Sequence, residues 1–418
     1  MKTAIVATGS ELISGLVQDS NSKYMAENLN NLGFENKNIL VCGDEKKDIK
    51  KNILYAAQSA DIIFITGGLG PTKDDQTKEA FAEAFDLDLF YSEKIENKLK
   101  NIFCNHHSEM TSNNLSQAYL PAGAEVIDNE KGTAPALKIK MTDKIFYLLP
   151  GVPSELKYLF NEKIFPDLKK LTKNKILIKE FNFIGIGEST LASKIEELNL
   201  NPALEISYQA GKAEVKVRIK IKRTAKIDES EKKKIIKKAQ KIIKTEFKDF
   251  IYGENQASIL DKVHEKLIAK KLSISTAESF TGGLIAERLT KKAGSSQYFL
   301  GSIVAYSKKI KKELLNIEQE ILTKYGAVSR ECVKAMAENA AVIFNSKIAV
   351  ATTGAAGPAK HDSKSAGTMF VSIFYQGKTK IFKIEKNYGR EINRFYASQI
   401  ALFEIYKLVS ESEDDLNV

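Results

Sequence analysis

The feature that most constrains the fold is a short apolar run at 61–66 that ends directly in a glycine-rich segment, Thr-Gly-Gly-Leu-Gly-Pro-Thr-Lys-Asp-Asp at 66–75. An unbroken apolar strand of this length is typical of parallel sheets that are buried on both faces. The residues before it contain, in order, a strand-like run, a segment with helical spacing, a second strand-like run and a second helical segment: 3–7, 20–32, 39–42 and 49–57. This alternation predicts a doubly wound α/β domain over residues 1–165, with ligands at the carboxyl ends of its strands.

The glycine-rich segment is the first candidate site. Three glycines lie within it: Gly67, Gly68 and Gly70. Glycines at a strand end let backbone amides approach an anion closely, and Pro71 with Thr72 can begin a helix whose amino terminus favours phosphate. Asp74 and Asp75 can then hold a divalent cation or act as a base. The alternative is a tight turn whose acidic residues complement the helix dipole.

The composition limits the classes of function. A net charge of +10 is compatible with nucleic-acid or phosphorylated small-molecule ligands, but the excess lysine is spread through helical patterns such as 231–244 and favours a solvated surface. Cys42, Cys104 and Cys332 lack CxxC spacing, so neither disulfides nor a zinc site is indicated. The first residues are similar to a β-strand and not to a signal peptide, and no run approaches the roughly 20 apolar residues of a membrane span. We expect a soluble, cytoplasmic protein.

The length of the chain and the change in its secondary-structure pattern along the sequence predict three domains and a tail. A chain of 418 residues is too long for one domain of roughly 100–200 residues. Residues 166–253 contain a strictly alternating strand at 214–222 and a lysine-rich helix, which predict a small α+β linker domain. Because no aromatic residues are interleaved with the basic ones, direct nucleic-acid binding is not expected. Residues 254–410 predict a second α/β domain, followed by an acidic tail at 411–418.

Residues 275–311 contain the densest set of candidate reactive groups in the chain. The set comprises hydroxyls, glycines, a phenol, a carboxylate and an amine: Thr276, Glu278, Ser279, Thr281, Gly282, Gly283, Ser295, Ser296, Tyr306 and Lys311. These are the parts of a serine nucleophile that works without histidine. Taken singly, Ser279 and Thr281 can also be helix caps, and Ser296 can be a loop residue after a helix.

Lysine is the candidate base because the histidines are poorly placed. Two lie in the first domain, one in an ordinary helix and one in a loop: His106, His107, His264 and His361. Ser307 is placed to cap the helix that carries Lys311, and the helix dipole, neighbouring lysines and any burial would lower the pKa of that amine. The alternative is that Lys311 belongs to one solvated basic face with Lys308, Lys309 and Lys312.

Two further segments can complete a pocket around this stretch. Residues 353–358, Thr-Gly-Ala-Ala-Gly-Pro, follow a buried strand, and Gly354 and Gly357 offer a glycine-lined wall. Arg390 and Arg394 lie one turn apart on the last helix and can recognise a phosphate. Such a pocket suits a phosphorylated substrate that carries an uncharged amide. Spacing does not decide which serine is the nucleophile.

These motifs, taken in order, resemble the CinA family over essentially the whole chain. GSELISG, TGGLGPTKDD, GTAP and PGVPSE are similar to its MoaB/MogA-like molybdopterin-binding domain, and TAESFTGG, AGSS, AYSKKIK, TGAAGP and GREINR to its nicotinamide-nucleotide amidase domain. Three positions depart from the family pattern: Phe280 replaces a common cysteine, Lys308 a common asparagine and Ala355 a usual isoleucine.

The resemblance implies that the C-terminal domain hydrolyses nicotinamide mononucleotide to nicotinic acid mononucleotide and ammonia, without a cofactor. It implies Ser296 as the nucleophile, Lys311 as its base and Tyr306 as an assisting phenol. It also implies a homodimer and small-molecule nucleotide substrates. The residues that it assigns to substrate binding are Ser279, Thr281, Gly282, Gly283, Gly354, Gly357, Arg390 and Arg394.

For the N-terminal domain the resemblance implies either hydrolysis of ADP-ribose with a divalent metal or pterin-type ligand binding without catalysis. The metal would be held by Asp44 and Asp75, beside Asp74 and the glycines of the 66–75 segment. The competing class of function is a binding or regulatory protein in DNA uptake or damage response. The absence of a recognisable nucleic-acid motif argues against direct DNA contact.

Overall fold

The structure is a computed structural model that describes residues 1–105, 107–172, 177–222, 224–225, 227–255 and 257–411. His106 and the predicted acidic tail lie outside the described residues, apart from the backbone of residue 411. The chain divides into two compact units, 1–176 and 177–418, so the predicted linker region shares a unit with the C-terminal domain from residue 177 onward. Within the described ranges, no helix combines the length and the apolar character needed to cross a bilayer.

The first unit contains a six-stranded sheet and a separate two-stranded one. The strands are β1 (Lys2–Thr8), β2 (Glu35–Cys42), β3 (Ile62–Thr66), β4 (Leu89–Tyr91), β5 (Tyr119–Pro121), β6 (Glu125–Ile127), β7 (Ala136–Met141) and β8 (Lys144–Leu149). The large sheet has the order β2-β1-β3-β8-β7-β6. Its first four strands are parallel, whereas β7 and β6 are antiparallel additions. The helices are α1 (Ser10–Ile13), α2 (Ser20–Leu32), α3 (Lys46–Ser59), α4 (Thr77–Ala84), α5 (Glu93–Asn105), α6 (Pro153–Leu159) and α7 (Phe165–Leu171).

The central strand β3 explains why this sheet has helices on both faces. Ile63 and Ile65 are fully buried in the cluster that also contains residues of α3 and α4. Ile62 and Phe64 are equally buried in the cluster formed with α2, α6 and α7. Alternate side chains of one strand therefore enter two different cores, as in doubly wound folds. The predicted α/β architecture of this domain is confirmed.

The last helix of the first unit runs past residue 165. A π-helical turn at Phe160–Ile164 joins α6 to α7. Leu168, in the middle of α7, is fully buried in the first unit's core. A domain boundary at 165 would separate this helix from the core it packs against, so the first unit includes at least residue 171.

The region after α7 begins with a four-stranded antiparallel sheet. Its elements are β9 (Ile178–Phe183), α8 (Glu188–Glu197), β10 (Leu204–Gly211), β11 (Glu214–Ile221), α9 (Glu229–Glu246) and β12 (Ile251–Glu254). The sheet order is β10-β11-β9-β12. Alternate residues of β11 are buried against an apolar face of α9, which confirms the half-buried strand and the α+β character predicted from the alternating segment.

The C-terminal region contains a five-stranded mixed sheet. Its elements are α10 (Ile259–Ala269), β13 (Ile274–Glu278), α11 (Leu284–Thr290), β14 (Phe299–Val304), α12 (Lys308–Leu315), α13 (Gln319–Lys324), α14 (Arg330–Phe344), β15 (Ile348–Gly354), β16 (Thr368–Tyr375), β17 (Lys378–Glu385) and α15 (Arg390–Glu411). In the order β14-β13-β15-β16-β17, the first three strands are parallel and the last two form a hairpin. Gln376 and Gly377 both have positive φ at its turn, as a two-residue hairpin requires.

Candidate active site

A cavity of about 560 Å³ lies at the carboxyl edge of the C-terminal sheet. Because β13, β14 and β15 are parallel, their carboxyl ends meet at this edge. The volume is typical of a small-molecule site. The lining residues come from the segments that follow these strands and from α15, and include Ser279, Phe280, Tyr306, Ser307, Lys308, Lys311, Thr353, Gly354, Gly357, Pro358, Lys360, His361 and Arg390.

Inside this cavity Lys311 contacts Ser279. The Nζ atom of Lys311 donates to Ser279 Oγ at 2.8 Å and to the carbonyl oxygen of Ala305 at 2.6 Å. Ser279 directly follows β13, and its own N–H donates to the carbonyl oxygen of Thr352 at 3.0 Å. A serine hydroxyl and a lysine amine at this distance are within reach for proton transfer, which is the geometry that a nucleophile and its base require.

Lys311 is buried, whereas its lysine neighbours are exposed. It is 1% exposed, while the side chains of Lys308 and Lys309 are 52% and 77% exposed. Ser307 caps α12 by accepting the N–H of Ile310 at 3.2 Å, which confirms the predicted cap. Burial lowers the pKa of Lys311 below its ordinary value. The solvated basic face therefore includes Lys308 and Lys309 but not Lys311.

The loop that follows β13 is fixed from two sides. The hydroxyls of Thr281 and Thr352 are 2.6 Å apart, and both residues are fully buried. The guanidinium of Arg394 donates twice to the carbonyl oxygen of Thr281, at 2.7 and 3.2 Å. Gly282 and Gly283 have φ values of 62° and 88°, a left-handed conformation that favours glycine. Arg394 thus holds the loop backbone and is not among the residues that line the cavity.

The other predicted arginine lies in the cavity wall. Arg390 Nη2 donates to Tyr306 Oη at 2.7 Å, and Nη1 donates to the carbonyl oxygen of Gly357 at 3.1 Å. One turn along α15, the buried Asn393 donates to the carbonyl oxygen of Ala356 at 2.9 Å. The first turns of α15 therefore fix the glycine segment 353–358 and bring the guanidinium of Arg390 to the phenol of Tyr306.

Ser296 is not placed with Lys311, so the structure does not form the pairing that the resemblance implied. Ser296 is exposed and lies in a short 3-10 turn, Ser295–Gln297, before β14 begins. Lys311 contacts the residue that follows the carboxyl end of the same strand. A strand of six residues spans roughly 20 Å, so Ser296 lies toward the opposite edge of the sheet. The serine within reach of the base is Ser279.

The N-terminal glycine segment forms a compact turn. Gly67 and Gly68 have φ values of 104° and 64°. The hydroxyl of Thr77 donates to the carbonyl oxygen of Gly67 at 2.9 Å, and a Cβ atom on Gly67 would collide with the backbone of Thr8. The following helix α4 begins at Thr77, so the prediction that it starts near Pro71 is wrong. The hydroxyl of Thr77 contributes the contact that closes the turn.

Asp75 stabilises the same turn. Its Oδ2 atom accepts the N–H of Thr72 at 2.9 Å and the hydroxyl of Thr72 at 2.6 Å. A Cβ atom on Gly70 would lie 2.5 Å from that oxygen, so glycine permits the close approach. Asp74 is exposed. The carboxylate of Asp75 therefore closes a tight turn, as the alternative interpretation expected, but it lies before α4 and not in the first turn of that helix.

The two proposed metal ligands lie beyond the carboxyl ends of β2 and β3, the strands that flank β1. Asp44 Oδ2 accepts the N–H of Ser10 at 2.8 Å, so it also has a local backbone partner. Among the residues that the structure describes, no group of three or more histidine, cysteine, aspartate or glutamate side chains is arranged to hold a metal ion. Asp44 and Asp75 each accept hydrogen bonds from nearby residues, and a metal site shared by the two stays a prediction.

Relatives that match the chain over almost its whole given length show which family it belongs to. The chain is 38% identical over 419 residues to the competence-damage inducible protein of Halothermothrix orenii, covering 99% of this chain and 100% of the relative. It is 35% identical over 416 residues to the corresponding protein of Bacillus cereus strain G9842, covering 98% and 100%. The chain belongs to the CinA family.

Three family matches cover successive parts of this CinA-family chain. Residues 4–170 match the "Probable molybdopterin binding domain" family, residues 178–253 the damage-inducible protein CinA KH domain, and residues 256–409 the CinA C-terminal domain. The middle match gives the predicted small α+β domain a more specific description. It is a KH-type domain.

Solved structures of CinA proteins match part of the chain. CinA of Thermoplasma acidophilum is 28% identical and covers 40% of this chain and 97% of its own, with a TM-score of 0.37. A competence/damage inducible protein of Agrobacterium tumefaciens is 32% identical and covers 37% and 97%, with a TM-score of 0.35.

Three side chains of the CinA-family site were not identified from the sequence. The sequence places His361 in a loop and assigns it no role, yet it lines the cavity. Asp362 accepts from Lys308 Nζ at 2.9 Å. Asn393 fixes the glycine segment, and its position three residues after Arg390, hence on the same helix face, was the available signal. His361 and Asp362 follow the glycine segment closely, but loop sequence alone does not show which side chains turn towards a pocket.

Proposed function

We propose that the C-terminal domain is an amidase that hydrolyses the carboxamide of nicotinamide mononucleotide, with Ser279 as the nucleophile and Lys311 as the base. The observation that carries this proposal is the 2.8 Å contact between Lys311 Nζ and Ser279 Oγ inside the cavity. Burial lowers the pKa of Lys311, which increases the fraction of neutral amine near pH 7. A neutral amine can accept the hydroxyl proton, whereas an ammonium can only donate.

In the first half of the reaction, Lys311 removes the Oγ proton of Ser279 as that oxygen attacks the amide carbon. The carbonyl oxygen of Ala305, which accepts from Nζ at 2.6 Å, keeps the amine lone pair directed at the serine. The tetrahedral intermediate then collapses, the C–N bond breaks, and the ammonium of Lys311 returns its proton to the leaving nitrogen. The products are ammonia and a nicotinoyl ester on Ser279.

In the second half, water replaces ammonia. The neutral amine of Lys311 takes a proton from water, whose oxygen attacks the ester carbon. When the ester bond breaks, the proton returns to Ser279 Oγ and nicotinic acid mononucleotide leaves. Overall one amide and one water become one acid and one ammonia, so neither an oxidant nor a metal is needed for balance.

The charge of the cavity supports a phosphorylated substrate. Besides Lys311, three basic side chains and one histidine line it: Lys308, Lys360, Arg390 and His361. Arg390 is oriented by Tyr306 and by the carbonyl oxygen of Gly357, and a guanidinium held in this way suits a phosphate. We assign Tyr306 to orienting Arg390 and to contacting the substrate.

Replacing two serines separately tests the nucleophile. We expect Ser279→Ala to lower kcat for ammonia release by at least about 10³-fold, because no other hydroxyl replaces the attacking oxygen. Ser296→Ala is the matched control and should stay within about twofold of wild type. The assay is ammonia release from nicotinamide mononucleotide. Loss of turnover in Ser296→Ala with retention in Ser279→Ala would reverse the assignment.

Trapping the ester tests the covalent step independently. Hydroxylamine added during turnover should divert the acyl enzyme to the hydroxamate of nicotinic acid mononucleotide, and rapid mixing should show a burst of ammonia if deacylation is slow. The Ser279→Ala variant should form no hydroxamate. Hydroxamate formation at the wild-type rate in that variant would exclude Ser279 as the acylated residue.

For the N-terminal domain we propose binding of a nucleotide at the glycine segment, with metal-dependent hydrolysis of ADP-ribose as its activity. Two carboxylates together with the substrate's own phosphates are a donor set that Mg²⁺ accepts, and Asp44 and Asp75 would supply them. A bound cation would polarise the pyrophosphate. The left-handed Gly67 and Gly68 support close approach of an anion to the backbone.

The assay for this domain is cleavage of ADP-ribose with Mg²⁺, with EDTA and with Asp75→Asn. We expect cleavage only with metal and a large loss in the variant. Asp74→Asn, at an exposed neighbouring carboxylate, is the matched control. Binding without cleavage would favour the pterin-type alternative, and cleavage that ignores both metal and Asp75 would exclude this site.

A further inference from the structure

A tight turn lies in the wall of the amidase cavity. His361 and Lys364 exchange backbone hydrogen bonds at 3.0 and 2.9 Å, which closes a four-residue turn. Its two central residues, Asp362 and Ser363, have φ values of 52° and 62°. Glycine, asparagine and aspartate favour such a turn, so Asp362 suits its position, whereas a serine with a positive φ depends on its surroundings to hold it there. The contacts of Asp362 help to supply that constraint.

The carboxylate of Asp362 is held at both oxygens. Oδ1 accepts from Lys308 Nζ at 2.9 Å, and Oδ2 accepts the backbone N–H of Val328 at 3.2 Å. Gly326, with a φ of 81°, lies so close that a Cβ atom there would collide with the carboxylate. Lys308 belongs to the first turn of α12, the helix that also carries Lys311. The ion pair therefore connects the turn directly to the helix of the base.

We propose that Asp362 is a positioning residue for Lys311: paired with Lys308, its carboxylate holds the 361–364 turn in the cavity wall and sets the local charge that controls protonation of the base. The proposal rests on the proposed amidase function, because the protonation state of Lys311 affects the reaction only if Lys311 is the base. Asp362 does not need to touch the substrate.

The charges around Lys311 allow the direction of the change in its pKa to be predicted for each substitution. Burial is the largest influence on the pKa of Lys311 and lowers it, while the negative charge of Asp362 favours the protonated amine. Burial raises the pKa of Cys332 on α14 to about 11, so that thiol is neutral near pH 7. Lys308 partly neutralises Asp362. Other titratable or charged groups on the elements around this site are Glu278, Tyr306, Lys360, His361 and Arg390.

The two partners of the ion pair should shift Lys311 in opposite directions. Asp362→Asn removes a negative charge and should lower the midpoint at which Lys311 loses its proton. Lys308→Met leaves Asp362 without its neutralising partner and should raise that midpoint. Lys309→Met, at an exposed lysine in the same helix turn, is the matched control and should leave it unchanged.

The experiment measures Lys311 itself, by competitive acetylation with acetic anhydride between pH 6 and 11 and peptide mass spectrometry. At pH 7 we expect on the order of threefold more label on Lys311 in Asp362→Asn and threefold less in Lys308→Met, relative to Lys309→Met. Because acetylation requires no substrate, it gives an answer even if nicotinamide mononucleotide is not hydrolysed. The Lys308→Met variant carries the test if Asp362→Asn does not fold.

Two outcomes would overturn the proposal. In one, both variants titrate like wild type, so the ion pair does not influence the base. In the other, both midpoints move in the same direction, which a displaced turn would produce but a change of charge would not. Opposite shifts, accompanied in the amidase assay by opposite shifts of the acidic limb of kcat/KM, would support it.

Discussion

Two buried lysines, one in each unit of the chain, have different hydrogen-bond partners. Lys78 on α4 donates to the backbone carbonyl oxygens of Ser116 and Tyr119 at 2.6 and 3.0 Å. Lys311 on α12 donates to one backbone carbonyl and to the hydroxyl of Ser279. Burial is the main cause of a lowered pKa in both, and it brings the pKa of Lys78 to about 8.

The comparison shows that burial alone does not make a lysine a base. A carbonyl oxygen can only accept a hydrogen bond, so Lys78 can only hold two backbone segments together. A hydroxyl can also donate, so loss of a proton from Lys311 reverses the hydrogen bond and activates Ser279. The position of Lys311 in a cavity then gives the pair access to a substrate.

The largest expected effect comes from Lys311→Met, which keeps most of the apolar length of the side chain but removes the amine. We expect amidase activity to fall by about 10²–10⁴-fold, the usual contribution of a general base. Lys78→Met should leave amidase activity within about twofold of wild type, although the lysine is also buried. Equal losses in the two variants would show that both lysines act through the fold.

Arg394→Ala should have the next largest effect on activity, because Arg394 fixes the loop that presents Ser279 to Lys311. Misplacing a reacting group by about 1 Å can cost roughly 10²-fold, so we expect kcat to fall by 10- to 100-fold with little change in KM. Arg390→Ala is the counterpart and should mainly raise KM. If Arg394→Ala raises KM alone, Arg394 contacts substrate instead.

Lys78→Met should change stability and not catalysis. Each carbonyl that loses its buried donor costs about 1–3 kcal/mol, so we expect a loss of this order in the free energy of unfolding of the N-terminal unit. Urea denaturation followed by circular dichroism gives the value, and Lys73→Met, at an exposed lysine, is the control. Unchanged stability would show that water replaces the ammonium at both carbonyls.

The last prediction is a pH dependence of stability from Lys78. Its pKa is about 8 in the folded chain, below the ordinary value of 10.5, so between these values the unfolded chain binds a proton that the folded chain lacks. The free energy of unfolding should therefore rise with pH from about 8 to 10.5, relative to Lys78→Met. A falling or flat difference over this window would mean that Lys78 stays charged when buried.

The basic strand of the KH-type domain offers a further contrast with the cationic cavity. Its cations are paired on the sheet surface: Arg218 with Glu180 at 2.7 Å and Lys220 with Glu205 at 2.9 Å. Neutralised charges attract a phosphate backbone weakly. The expectation that this domain does not bind nucleic acid stays a prediction.

The alternation of apolar runs predicted most elements correctly. The helix predicted at 20–32 has the same bounds in the structure, and the strand predicted at 61–66 is β3. Such elements are predictable because their own side-chain periodicity decides which face is buried. The antiparallel β6 was not predicted, because it is short and its pairing with β7 depends on distant residues.

The candidate site was predicted as a set of residues but not as a set of contacts. Lys311, Tyr306, Ser279, Gly354, Gly357 and Arg390 all line one cavity. Ser296 does not, because β14 separates it from the carboxyl edge of the sheet, and Arg394 is directed at the carbonyl of Thr281. Whether two side chains are in contact depends on which strand ends lie at the same edge of the sheet, and the sequence alone does not give that order.

The sequence by itself determined the family, the alternation of strands and helices, and the chemical groups available for an amidase. These follow from local periodicity and from motifs, which are properties of neighbouring residues. Only the tertiary structure decided that Ser279 is the partner of Lys311, and that Lys311 is buried while Lys308 and Lys309 face solvent. The physical reason is that a hydrogen bond and a lowered pKa depend on atoms brought together from separate strands.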